Sequence, residues 1–162
     1  MRGFTLIETV IYIALYALII GGIVVSVYAL IESSGQNKTK AMVHEEGLFI
    51  LSKIENSLTN ADSVASADPS TISIIDSSLP ASSNPTIFSV SSGAMSVARG
   101  NNPKEILNNS NTKVANPSFA YTKESGDGTL LESVRIEFTL ETLTAHGKAY
   151  SENFATTIYL RK

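Results

Sequence analysis

The stretch from Phe4 to Ile31, FTLIETVIYIALYALIIGGIVVSVYALI, limits what this chain can become more than any other. It runs for about 28 residues with a single charge, Glu8. As a helix rising ~1.5 Å per residue it is roughly 42 Å long, more than the ~30 Å hydrocarbon core of a bilayer. A membrane-spanning segment is therefore expected. An ionisable side chain inside such a segment costs a few kcal/mol and marks a functional position whose partner has to be named. Leu6, Ile7, Val10 and Ile11 surround Glu8, and the nearest lysine is Lys38. The helix itself offers this carboxylate no cation, so a donor is expected from elsewhere.

Past Ile31 the chain is long enough for one globular domain. It has 162 residues in all, and a remainder of roughly 100 to 130 can bury a modest core. The net charge is -3. Arg2 and Glu8 cancel, so the part beyond the apolar run carries the same excess of acid. Such a surface has no overall attraction for nucleic acid or anionic lipid. The chain has no Cys, which rules out disulfides and thiolate metal sites and leaves the redox compartment open.

Only Met1, Arg2 and Gly3 precede the run. A secretory signal has an apolar core of ~7–15 residues followed by a small-residue cleavage site. Here the run is too long, and IESSGQNKTK after it lacks such a site. Removal of the whole segment is not expected. Arg2 before the span and Lys38 and Lys40 after it give too thin a bias to set its orientation.

The head of the chain, Met1-Arg2-Gly3-Phe4-Thr5-Leu6-Ile7-Glu8, resembles the leader and cleavage site of type IV prepilins and type II secretion pseudopilins. The likeness lies in the Gly-Phe junction, the Thr-Leu-Ile-Glu that follows it and the long apolar helix behind. It implies that a prepilin peptidase cuts between Gly3 and Phe4 and methylates the new amino group of Phe4. It also implies that Glu8 pairs with the Phe4 amine of a neighbouring subunit as helices pack side by side. The implied partners are other pilin or pseudopilin subunits, the peptidase, a cytoplasmic-membrane assembly platform and membrane lipid. The implied location is the cytoplasmic (inner) membrane, single-pass, with the remainder outside the cytoplasm, and then a surface or periplasmic filament. The plain alternative for Glu8 is a carboxylate at headgroup level favouring the helix N-terminus through its dipole.

Gly21-Gly22 is a weak point, at ~1 kcal/mol each against Ala. It suits either local bending in a packed filament or close approach of a neighbouring helix. Tyr12, Tyr16 and Tyr28 read as packing or interfacial aromatics. After a polar stretch, Val43, Leu48, Leu51, Ile54, Leu58 and Ala61 recur at helical spacing. They predict an amphipathic continuation of the helix, stopped by Asn60, Asp62 and Asp68-Pro69.

Ser63 to Ser96 is rich in serine, with short β-type runs at Thr71–Ile75 and Thr86–Val90. A turn at Ser92-Gly93 then leads into Ala94–Ala98. The serines read as polar loops and solvent faces of strands. Arg99–Asn116 reads as a loop or one helical turn around Ile106-Leu107. Pro117–Thr122 reads as a strand with Phe119 and Tyr121 on one face, followed by a turn at Gly126-Asp127-Gly128. Glu124, Asp127 and Glu132 lack the spacing of a calcium loop. Val134, Ile136, Phe138 and Leu140 alternate with polar residues. So do Phe154, Thr156, Ile158 and Leu160 after a polar connection over Leu143–Glu152. These two strands predict an antiparallel pair lying on the helix stripe. The closing Thr156–Arg161 is similar to the last strand of minor pilins and minor pseudopilins.

The expected layout is a leader at 1–3, a transmembrane and assembly helix at 4–31, an amphipathic continuation at 32–62 and a β-rich domain at 63–162. The fold class is α+β, a long N-terminal helix packed against a C-terminal antiparallel sheet in the pilin manner. His44, beside Glu45 and Glu46, reads as a solvated helix face, and His146 stands far from it in sequence. No phosphate loop, nucleophile elbow or zinc pattern occurs, so no catalytic, cofactor or metal residue is expected. The reading is a structural, minor filament subunit and not an enzyme. The alternative is a permanently anchored extracytoplasmic binding or adhesion module.

Overall fold

The structure, a computed structural model, describes residues 5–124, 131–144 and 147–160. One helix, α1, runs over Leu6–Thr59. No proline interrupts it, and Glu8 in its first turn meets the positive end of the helix dipole. It ends where polar side chains turn back on the backbone. Thr59 Oγ1 donates to Glu55 O at 2.8 Å and Asn60 Nδ2 to Asn56 O at 2.9 Å. Such local bonds compete with helix propagation. Ala61 N–H then closes a turn onto Leu58 O.

The chain divides into two compact units, Met1–Thr39 and Lys40–Lys162. The first holds the apolar part of α1. The second holds the rest of α1 and two antiparallel sheets. One sheet has the order β1 (Ser63–Asp68), β2 (Thr71–Ile75), β3 (Thr86–Ser91), β4 (Ala94–Arg99) and β5 (Glu105–Ile106). The other has the order β6 (Thr112–Thr122), β7 (Ser133–Leu143) and β8 (Ala149–Tyr159). The α+β class expected from the sequence is therefore observed, with the single expected sheet resolved into two. They meet where β6 passes β1 and the end of β4, and Val114 N–H donates to Gly93 O at 2.9 Å across that seam.

The core lies between the sheets and the second half of α1. From the helix come Val43, Ile50, Ile54 and Leu58; from the strands, Ile72, Phe88, Met95, Val134, Ile136, Phe138, Leu140 and Phe154. The buried helix face differs from the expected stripe by part of a turn. Leu48 is 49% exposed, whereas Gly47 and Ile50 are buried. The physical reason is Phe154. Its ring lies against Gly47 so closely that a Cβ there would sit 2.1 Å from Cζ. It also stacks on Phe138 with centroids 5.4 Å apart. A large ring fills the site, and the helix presents a residue without a side chain to receive it.

Several strands are longer or more numerous than expected. The serine- and alanine-rich β1 pairs along β2 with a bulge between Val64 and Ser66. The expected turn at Ile106-Leu107 is a two-residue strand beside β4, with Leu107 buried. β6 begins at Thr112, and its register shifts between Ala115 and Ser118. Pro117 is accommodated at that bulge, next to Asn116 at φ 49°. β8 begins at Ala149, so the connection from β7 is short and closes with Gly147 N–H donating to Thr144 O. The expected inward residues of β8 hold: Phe154 and Ile158 are buried, Thr156 and Leu160 half-buried.

Candidate functional site

The first half of α1 is the unusual surface of this molecule. Between Leu6 and Ile31 every large apolar side chain is exposed, none less than 43%. Burying one such side chain is worth about 1.5–3 kcal/mol. Over the length of the segment the sum reaches tens of kcal/mol, more than the whole stability of an ordinary domain. This part of the helix is long and apolar enough to cross a membrane, and it is not covered by the rest of the chain. Either lipid or other helices must receive it.

Glu8 is half-buried on this surface, and Tyr12 Oη donates to its Oε1 at 3.3 Å. This corrects the expectation that the helix offers Glu8 nothing. The i, i+4 spacing of Glu8 and Tyr12 was the signal available in the sequence, since residues four apart share a helix face. A phenol is a neutral donor and leaves the charge uncompensated. Among the described residues no Lys, Arg or His forms an ion pair with Glu8. Gly3 and Phe4, the expected cleavage and methylation residues, lie outside the described residues. So do His146 and the Gly126-Asp127-Gly128 turn. The helix runs unbroken through Gly21-Gly22, where a Cβ would meet no atom within 4 Å, and Ser26 Oγ donates to Gly22 O at 2.9 Å.

In the second unit, polar contacts tie the helix to the sheets. Glu46 accepts from Asn109 N–H and, at 2.6 Å, from the hydroxyl of buried Thr112. His44 is exposed on the helix, as expected, and it has a partner on the sheet. Its Nδ1 lies 2.7 Å from Glu152 Oε1, and Tyr150 Oη donates to Glu152 Oε2 at 3.1 Å. That contact joins residues 108 positions apart, and no local pattern announces it. Tyr121 donates to Glu132, which accepts the phenolic proton. This bond first, then burial and the charge of Glu132, push the Tyr121 pKa up to about 12. The hydroxyl and backbone N–H of Ser77 hold Asp62 below the ordinary carboxylate range.

At the C-terminal end of α1 there is a polar cavity of about 350 Å³, bordered by Asn56, Asn60, Asp76, Thr86, Arg99 and Asn102. Asp76 Oδ1 accepts from the backbone N–H of Ser78 at 2.9 Å and from its hydroxyl at 2.5 Å. Among the described residues no three His, Asp or Glu converge on a point where a metal ion would sit. No protein-family model, no curated protein and no solved structure matches this chain.

Proposed function

We propose that this chain is a structural subunit, of the minor kind, of a type IV pilus-like filament or a type II secretion pseudopilus. One observation carries the reading. A fully uncovered apolar helix is headed by Gly3-Phe4 and bears, four residues after that junction, a carboxylate with no described cation. Cleavage after Gly3 by a prepilin peptidase creates a positive amine at Phe4, one turn from Glu8. The amine of one subunit then compensates Glu8 of the next as the helices leave lipid and pack together. Tyr12 holds the carboxylate in one rotamer until that partner arrives. The β-rich unit stays outside the cytoplasm and forms the filament surface.

The test is Glu8→Gln in the full-length chain, scored as the amount recovered in sheared filaments against the amount in the membrane. Removing one partner of a buried ion pair costs about 3–5 kcal/mol, so incorporation should fall by about a hundredfold or more while membrane levels hold. Unchanged incorporation overturns the proposal. The second reading, a permanently anchored binding module, draws on the polar cavity near Arg99. It predicts a chain that keeps Met1 and never enters a filament.

A further inference from the structure

The cavity of about 350 Å³ at the end of α1 is built on one row of the five-stranded sheet. Ile74 pairs with Thr86, and Thr86 with Arg99, across β2, β3 and β4. Residues directly opposite each other in antiparallel strands share a face. The neighbouring row on that face, Ile72, Phe88 and Val97, is buried in the core. α1 stops at Thr59, and its last turn brings Asn56 and Asn60 to the row that follows. Where the helix ends, that row turns from apolar at Ile74 to polar at Thr86 and Arg99.

Thr86 marks this space as a binding site. It is only 4% exposed, and its hydroxyl makes no hydrogen bond among the described residues. No described side-chain polar atom is both sealed off and unbonded, so that hydroxyl opens onto the cavity that Thr86 borders. A polar group so far removed from bulk water costs stability unless something in the cavity completes it. The rim is held in place from outside. Asn84 Nδ2 donates to Asp76 O at 2.6 Å and to Leu79 O at 3.3 Å. Asn101 N–H donates to Ser82 O at 3.2 Å, and a Cβ on Gly100 would fall 2.0 Å from that same oxygen. The β2–β3 and β4–β5 loops are locked together in this way, and the cavity is formed before a ligand arrives.

We infer that this cavity binds a neutral saccharide. Charge sets the class of ligand. Asp76 and Arg99 both border the space, and among the described residues they form no ion pair with each other. A free anion gains Arg99 but meets Asp76 and the negative, carbonyl end of α1. A free cation meets Arg99. A zwitterion needs Asp76 for its ammonium group, and Asp76 Oδ1 is already taken up by Ser78. What the lining offers in quantity is uncharged groups that both donate and accept, the Thr86 hydroxyl and the amides of Asn56, Asn60 and Asn102. Sugar hydroxyls have the same double capacity, and the C–H face of a sugar ring suits the apolar Ile74 and Leu79. The volume is near the lower end of the ~300–1,000 Å³ of small-molecule sites, which fits a sugar and not a folded partner. A filament subunit and an anchored module can both carry such a site, so the inference rests on neither reading above.

The test titrates the full-length chain, in micelles of a detergent without a sugar headgroup, with the methyl glycosides of glucose, galactose, mannose and N-acetylglucosamine at millimolar concentration. Binding is read from proton–nitrogen NMR spectra. At least one glycoside should move the side-chain amide signals of Asn56, Asn60 and Asn102 together with the backbone signal of Arg99. Thr86→Val exchanges the hydroxyl for a methyl of similar size, and Arg99→Met removes the guanidinium but keeps an apolar stem. Each should weaken binding by about tenfold while the melting temperature holds within a few degrees. Acetate, phosphate and glycine at the same concentration are the charged counterparts. No shift with any of the glycosides, shifts confined to other parts of the chain, affinity indifferent to both variants, or tighter binding of acetate, phosphate or glycine overturns the inference. None of these results depends on how the N-terminus is processed.

Discussion

Gly47→Ala separates the packing seen here from the expectation of helix propensity. Propensity alone makes the change favourable by about 1 kcal/mol, because glycine is the costliest ordinary residue in a helix interior. The structure reverses the sign. A Cβ at this position falls 2.1, 2.3 and 2.4 Å from three carbons of the Phe154 ring. That ring cannot recede easily, since Phe138 is stacked behind it at 20° between planes. Relief comes by lifting the helix from the sheet, at about 1–3 kcal/mol for overpacking. The other route, expelling the ring, approaches the 3–5 kcal/mol of losing a buried Phe. Taking the upper end of the first range and subtracting the propensity gain leaves a net loss of about 2 kcal/mol. For a domain of this size that lowers the melting temperature by about 6–10 °C. The assay is thermal unfolding of the full chain in detergent, followed by circular dichroism. Phe154→Leu should cost less in the Gly47→Ala background than in the native one, by about 1 kcal/mol in a double-mutant cycle. A raised melting temperature for Gly47→Ala refutes the packing argument.

Three further outcomes follow from polar contacts. Asp62 has its pKa lowered by Ser77, so its contribution is complete above the unfolded pKa and is lost as pH falls through the lower folded value. Asp62→Asn should flatten the acid side of a stability–pH curve, and an unchanged curve contradicts this. Tyr121 is raised to about 12, so its contribution is complete below its ordinary pKa of 10.0 and is lost as pH climbs from there through the folded value. Ultraviolet titration of tyrosinate should show a late-ionising component that shrinks by one group in Tyr121→Phe, beside the raised Tyr150. Glu46→Ala removes the acceptor for Asn109 N–H and one of two acceptors for the Thr112 hydroxyl, which keeps Asn109 O at 3.0 Å. It should cost about 0.5–1.5 kcal/mol in urea unfolding, and a stabilised variant would contradict this.

Much of the fold was legible because its signals are local. The apolar run marks the first half of α1, and strict alternation marks Val134–Leu140 and Phe154–Leu160. What escaped depends on distant residues. β1, written SVASAD, carries little strand propensity and exists through its register with β2. The first half of β6 is interrupted by Asn116-Pro117, which reads as a loop until the bulge is seen. The buried face of α1 was misplaced around Leu48 because a glycine gives no hydropathy signal, and Gly47 is buried by a ring 107 residues further on. In the candidate site, Glu8 stood out as a charge in an apolar run. Its Tyr12 partner lies at i, i+4 on the same helix face, whereas His44–Glu152 has no sequence signature.

The most direct measurement is the intact mass of the chain recovered from its native membrane, with fragmentation of its N-terminus. The account predicts a chain that has lost Met1-Arg2-Gly3 and begins with a methylated Phe4. A chain that still carries Met1, Arg2 and Gly3 would contradict it.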